Sequence, residues 1–150
     1  MRRHLYILYI ALCSLLLLSC GAEKAMQKGD QFYAIGEYYN AAEQYRKAYS
    51  QTPAKERDLR GQRAQKLAEC YRRINATTKA INAYNNVVRY KKADSITHLY
   101  LGQLYLKNGN YKEAAKAFLT ANDSLPGDER VKNGLKSAQM APAWKKEGSD

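Results

Sequence analysis

The side chains with the widest chemical reach in this sequence are three cysteines, Cys13, Cys20 and Cys70, and two histidines, His4 and His98. A thiol can serve as nucleophile, metal ligand or half of a disulfide, and an imidazole as base or ligand. Their spacing removes most of these options. No two cysteines have the short separation of a zinc site, and neither histidine lies near Cys70 in the chain. The sequence also offers no glycine-rich phosphate loop, no paired carboxylates in a catalytic setting and no nucleophile beside a base. A non-enzymatic protein is expected, with no metal, no cofactor and no small-molecule substrate. Cys70 falls in a helical pattern and is expected to be a small core residue.

Cys20 is different because of what precedes it. Residues Leu5 to Leu18 are almost wholly apolar and follow a basic tip of Arg2, Arg3 and His4. Fourteen residues at about 1.5 Å each reach roughly 21 Å, short of a hydrocarbon core of about 30 Å. A basic start, a short apolar run and a small residue at the break describe a secretory signal, which is left out of fold reasoning. The stretch Leu17-Leu18-Ser19-Cys20 resembles the lipobox of bacterial lipoproteins, although Leu18 is unusual at its position. The resemblance implies a signal peptide over 1–19, cleavage before Cys20, a diacylglycerol on its thiol and a lipidated N-terminus over 20–24. Two or more acyl chains anchor a protein stably where one holds it only marginally. With Cys13 removed and Cys20 lipidated, Cys70 has no intramolecular partner for a disulfide.

The full chain carries 25 basic and 14 acidic residues. Without Arg2 and Arg3 the balance is 23 − 14 = +9. Such a charge suits nucleic acid, anionic lipid or an acidic partner. An exported protein seldom meets nucleic acid, which is therefore not expected. The basic residues are scattered, with the tightest groups at Arg72-Arg73 and Arg89-Tyr90-Lys91-Lys92. Most are expected to be solvated helix surface, and a minority to face a negative partner.

The elements that position these groups come from internal repetition. Three segments begin with a small residue (Gly29, Ala68, Gly102), followed three positions on by an aromatic (Phe32, Tyr71, Tyr105). An alanine comes nine positions later (Ala41, Ala80, Ala114), and another aromatic four beyond that (Tyr45, Tyr84, Phe118). This register resembles the tetratricopeptide repeat (TPR), in which each unit is a pair of antiparallel helices. The resemblance covers roughly Ala25 to Pro126. It implies an all-α solenoid of three helix-turn-helix repeats, at about 25–53, 61–92 and 95–126. Small residues let the paired backbones approach, and the aromatics fill the space toward the next pair. Gly36 and Gly109 mark turns, and Pro53 and Pro126 close second helices. Unit two departs from the pattern, with Asn75 for the turn glycine, Val87 for alanine and Lys92 for proline. Five extra residues within Ala54–Arg63 form either a longer loop or an early turn of the following helix.

Beyond Pro126, Val131, Leu135 and Ala138 recur at helical spacing, with Asp128 a suitable helix start. A capping helix over 127–140 is expected to cover the exposed end of the solenoid. Pro142 is expected to end it, leaving a flexible tail over 141–150. Trp144 either folds back on the cap or marks the entrance to a further domain.

The TPR resemblance also implies a concave groove lined by the first helix of each pair. Its residues are Met26, Asp30 and Tyr33, then Gln65, Glu69, Arg72 and Arg73, then Leu99, Gln103, Leu106 and Lys107. Repeats that grip chaperone tails carry lysine and asparagine where Met26 and Asp30 stand, so that clamp is absent. The candidate binding residues are Tyr33, Asp30, Glu69, Arg72, Arg73, Gln103 and Lys107. A lipobox followed at once by short repeats, and then by GLKSAQMAPAWKKEGSD, resembles the front of OmpA-family envelope lipoproteins associated with type IX secretion. In that family a β-propeller and a peptidoglycan-binding domain follow. Neither is found before Asp150, so the chain is read as a truncated relative or a front portion.

Together these features imply an envelope scaffold held to the outer membrane by lipid on Cys20. It is expected to face the periplasm, with an envelope protein or peptide in its groove. The alternative is an accessory module that binds cell-wall glycan or recruits peptidoglycan-turnover enzymes.

Overall fold

A computed structural model of the chain describes residues 21–147, with side chains described as far as residue 141. The leader over 1–19, the expected lipidation residue Cys20 and the side chain of Trp144 lie outside the described residues. What is described is helical throughout, without strands. Helix α1 covers 21–34, followed by α2 (Tyr38–Gln51), α3 (Arg57–Arg73), α4 (Thr77–Arg89), α5 (Ser95–Lys107), α6 (Tyr111–Asn122) and α7 (Glu129–Glu147). The first six form three helical hairpins, and α7 packs against α6 and α5 at the far end.

The repeat register becomes a packing rule in three dimensions. Ala41, Ala80 and Ala114 are fully buried, as are the rings of Tyr45, Tyr84 and Phe118. A Cβ placed on Gly29 would lie 2.6 Å from Tyr45 Cε1, and one on Gly102 would lie 2.7 Å from Phe118 Cε1. Each glycine therefore lets its helix rest on the ring of its hairpin partner. Burying such a ring contributes about 1.5–3 kcal/mol, which more than offsets the roughly 1 kcal/mol cost of glycine inside a helix. The capping helix uses the same device. Gly134 of α7 also faces Phe118, and any side chain there would fall inside the van der Waals surface of the ring. Phe118 is thus held from both sides, in a cluster with Leu99, Ala114, Ala121, Val131 and Ala138.

The hairpin turns share one hydrogen-bond pattern. Gly36 N–H donates to Tyr33 O and Glu37 N–H to Phe32 O, and the pairs Asn75 to Arg72 and Ala76 to Tyr71 repeat it. So do Gly109 to Leu106 and Asn110 to Tyr105. This closure satisfies two orphan carbonyls at the helix end and requires a left-handed residue. Gly36 and Gly109 have φ of 79° and 78°, and Asn75 takes the same role at φ 57°. Asparagine tolerates this region better than most residues.

Three boundaries differ from those expected. Residues 21–24 form the first turn of α1, not a separate segment, because Ala22 and Ala25 share one buried face. The extra residues after unit one add a turn to the following helix, so α3 starts at Arg57 instead of near 61. There Gly61 lies against Tyr90 and Lys92 at the end of α4. At the other end α7 runs through Pro142 to Glu147. Proline removes one donor, and the good helix formers around it carry the helix past.

Gly102→Ala is expected to destabilise the protein by about 1–3 kcal/mol, since the buried ring of Phe118 has no room to retreat. Asn75→Ala should destabilise it by about 1–2 kcal/mol, since alanine tolerates the left-handed turn poorly and removes the acceptor of Lys107. Urea unfolding followed by circular dichroism checks both signs.

Candidate functional site

The residues expected to line a groove lie on α1, α3 and α5, and those on α3 form the most connected cluster. Glu69 lies three positions before Arg72 and four before Arg73, so all three share one face of the helix. Glu69 accepts from Arg72 Nε at 3.0 Å and Arg72 Nη2 at 2.7 Å, and from Arg73 Nε at 2.8 Å. A further bond, 3.0 Å long, comes from the hydroxyl of Tyr84 beneath. Burial by itself would raise the Glu69 carboxyl, but the hydrogen bonds from Arg72, Tyr84 and Arg73 hold it below its ordinary range.

Both arginines are also stacked. The Arg72 guanidinium stands 4.1 Å from the ring centre of Tyr100 on α5, which in turn leans on Tyr84. Arg73 lies 4.9 Å from Tyr38 and 5.5 Å from Tyr33, and donates to the Tyr38 hydroxyl at 3.1 Å. Tyr33 and Tyr38 meet edge to face at 5.3 Å. Two guanidinium groups are therefore positioned by one carboxylate and four tyrosines drawn from five helices.

Asp30, one repeat earlier, occupies the place equivalent to Glu69. It accepts from the Tyr45 hydroxyl at 2.7 Å and pairs with Lys66. Burial acts to raise its carboxyl, and the bonds from Lys66 and Tyr45 bring it below its ordinary value. Gln103 is the third equivalent, and it stands exposed, apart from the Glu69 network. Its hairpin partner is Phe118, which has no hydroxyl to offer. Lys107 bonds to Asn75 Oδ1 at 3.0 Å and so ties α5 to the turn of unit two. Leu99 is a correction. It is fully buried instead of lining the groove, because α7 closes over that end and draws it into the core with Phe118 and Val131.

Sequence reasoning passed over Lys66, Tyr38, Tyr84 and Tyr100 as members of this surface. Lys66 lies three positions before Glu69 and Tyr100 three before Gln103, and this spacing was the available signal. Cys70, beside Glu69 in sequence, points into the core, where burial pushes its thiol up to about 12. It is inert at neutral pH. Among the described residues no group of three or more His, Cys, Asp or Glu side chains is placed to hold a metal.

A family model described as tetratricopeptide repeat matches residues 66–129. Over that part the chain is similar to tetratricopeptide repeats. The match takes in the irregular unit two as well as unit three. Solved structures extend the fold over most of the chain. The C-terminal TPR-containing domain of a Plasmodium falciparum FK506-binding protein superposes with a TM-score of 0.73 at 18% identity, covering 87% of this chain and 93% of that one. The first TPR domain of Spaghetti (RPAP3), bound to an HSP90 peptide, gives 0.65 at 20% identity over 83% of this chain and 95% of its own. The Yersinia enterocolitica type III secretion chaperone SycD, in complex with a peptide of the translocator YopD, gives 0.64 at 15% identity, with coverage of 80% and 93%. At these identities the likeness is one of fold. No curated protein matches the chain in sequence.

The depressed Glu69 carboxyl has a consequence for stability. A group whose folded pKa lies below its unfolded value of about 4.3 stabilises the fold above that pH and loses the contribution as pH falls through the folded pKa. Glu69→Gln is expected to cost about 1.5–3 kcal/mol at pH 7 and to flatten the loss of stability below about pH 4.5. Thermal unfolding of both proteins from pH 7 to pH 3 would show this; parallel curves would refute it.

Proposed function

We propose that this protein is a lipid-anchored TPR scaffold of the bacterial cell envelope that holds a peptide segment of a partner protein in its groove. One observation carries the binding half. Arg72 and Arg73 are locked by Glu69 and stacked on tyrosines of neighbouring helices, so both cations are ordered before any ligand arrives. Ordering charged side chains in advance lowers the entropic cost of association. Each guanidinium has five N–H donors and spends only part of them on Glu69 and Tyr38, which suits a partner bearing carboxylates. Related folds bind peptides from HSP90 and from a secretion translocator, in support of the same use here. The chaperone-tail clamp does not apply, since Met26 and Asp30 replace its lysine and asparagine.

The anchoring half rests on the sequence Leu17-Leu18-Ser19-Cys20 after an apolar leader. Attachment to the outer membrane facing the periplasm, and service in a type IX secretion or envelope assembly, belong to the same proposal. Their support is the lipobox and the likeness of the leader and post-repeat segment to the front of OmpA-family lipoproteins.

Cys20→Ser is expected to move the protein from the membrane fraction to the soluble fraction and to abolish labelling by radioactive palmitate. Unchanged fractionation and labelling would refute the anchor. For the groove, envelope extract is passed over immobilised protein and over an Arg72→Ala/Arg73→Ala variant. A reproducible protein partner lost about tenfold or more in the variant supports the scaffold. Retention of glycan fragments alone would favour the cell-wall alternative.

A further inference from the structure

Exposed apolar surface gathers at one turn of the fold. Ile35 and Tyr39 are the most exposed large apolar side chains among the described residues, at 70% and 67%. Ile35 follows the end of α1, Tyr39 lies in the first turn of α2, and the left-handed Gly36 brings the two helix ends together. Leu59, Val88, Leu119 and Met140 are exposed as well, but they come from four different helices. An isolated exposed apolar residue is ordinary, whereas neighbouring ones mark a contact surface. Tyr39 is also one wall of a shallow cleft of about 340 Å³, lined by residues 36–40 and by Ile74 of the unit two turn.

Tyr38 joins this cleft to the arginine cluster. Its side chain lines the cleft, and its hydroxyl accepts from Arg73 Nη1 at 3.1 Å. The Arg73 guanidinium stands 4.9 Å from the Tyr38 ring centre, and Ile74 follows Arg73 directly in the chain. Glu69 takes the hydrogen bond from Arg73 Nε and Tyr38 the one from Nη1, which leaves Nη2 to a ligand oxygen. A carboxylate on Arg73 and an apolar group in the cleft would be separated by little more than the Tyr38 ring. In an extended chain at about 3.3 Å per residue, roughly two or three residues cover that separation.

The charges distinguish the two places. At the groove end Arg73 is ordered and exposed, with donors to spare. At the cleft end the lining includes the carboxylate of Glu37, which accepts from Asn40 Nδ2 at 2.6 Å. Glu43, farther along α2, is paired with Arg46 at 2.7 Å. An acidic side chain is drawn to Arg73 and repelled by Glu37, so an acid and an apolar residue are not interchangeable between the two places.

We propose that groove and cleft together hold one extended segment of a partner protein, with a carboxylate on Arg73 and, a short step along the chain, a large aliphatic side chain between Tyr38, Tyr39 and Ile74. The proposal rests on the peptide-binding reading of the groove and adds the chemistry of the segment that fits it. Seating the aliphatic side chain takes Tyr39 and its neighbour Ile35 out of water, which is the apolar surface that the fold itself leaves open. The acid fixes the register of the segment, and the buried aliphatic side chain supplies most of the affinity.

Fluorescence anisotropy of labelled glycine–serine peptides, blocked at both ends and titrated with the full chain, tests this. One peptide carries a pair of glutamates and then a leucine, a second has serine in place of the leucine, and a third keeps the leucine but has glutamine for glutamate. The first is expected to bind about fivefold or more tighter than either of the others. Arg73→Ala should weaken the first two peptides alike. Ile35→Ser/Tyr39→Ser, which changes only exposed side chains, should abolish the advantage of leucine and leave the serine peptide as it was, with circular dichroism unchanged. Equal binding of the leucine and serine peptides overturns the proposal while the groove reading stands. If neither acidic peptide binds, or Arg73→Ala has no effect, the carboxylate reading of the groove falls with it. Self-association that Ile35→Ser/Tyr39→Ser removes would assign the patch to a second copy of this chain, and that too overturns the proposal.

Discussion

The fold depends on one constraint, the distance at which two helices of a hairpin can meet across an aromatic ring. Gly29 rests against Tyr45 and Gly102 against Phe118, with no space for a methyl group between them. Close-packed interiors do not absorb such an intrusion, so the glycine sets the separation of the helices. Phe118 is enclosed on its other side by Gly134, which makes the capping helix a continuation of the same packing and gives the last hairpin a covered face. Stability in such an array comes from repeated local interfaces, each hairpin touching mainly its neighbours.

The buried rings also govern the groove. Where the ring is tyrosine, its hydroxyl emerges from the core and meets a carboxylate on the first helix, Tyr45 with Asp30 and Tyr84 with Glu69. Where the ring is phenylalanine, the equivalent place holds the uncharged Gln103. A buried hydroxyl needs a partner, and a half-buried carboxylate needs donors, so each satisfies the other. Glu69 then gathers Arg72 and Arg73, and the arginines stack on Tyr100, Tyr33 and Tyr38. Core and groove form one hydrogen-bonded system, and a change in a buried ring is felt at the surface.

Much of this architecture was legible beforehand because helical periodicity and repeat period are local properties of the chain. The register of small residues and aromatics identified the hairpins, and Asn75 was recognised as the residue standing in for a turn glycine. The groove was legible only in part. Glu69, Arg72 and Arg73 sit on one helix at spacings that ensure contact, whereas Tyr38 and Tyr100 come from other helices. Leu99 was misplaced because groove position was inferred from the repeat alone, without the helix that covers the final unit.

The sequence by itself determined the helical repeat and the separation of hairpins into units, since each follows from residue type and short-range spacing. Tertiary structure decided which first-helix residues face outward, how far α7 extends past Pro142, and that Arg57 and Arg60 of α3 meet Arg89 and Tyr90 at the end of α4. These depend on contacts between distant segments, where burial and close approach are set by the partner surface instead of the local chain.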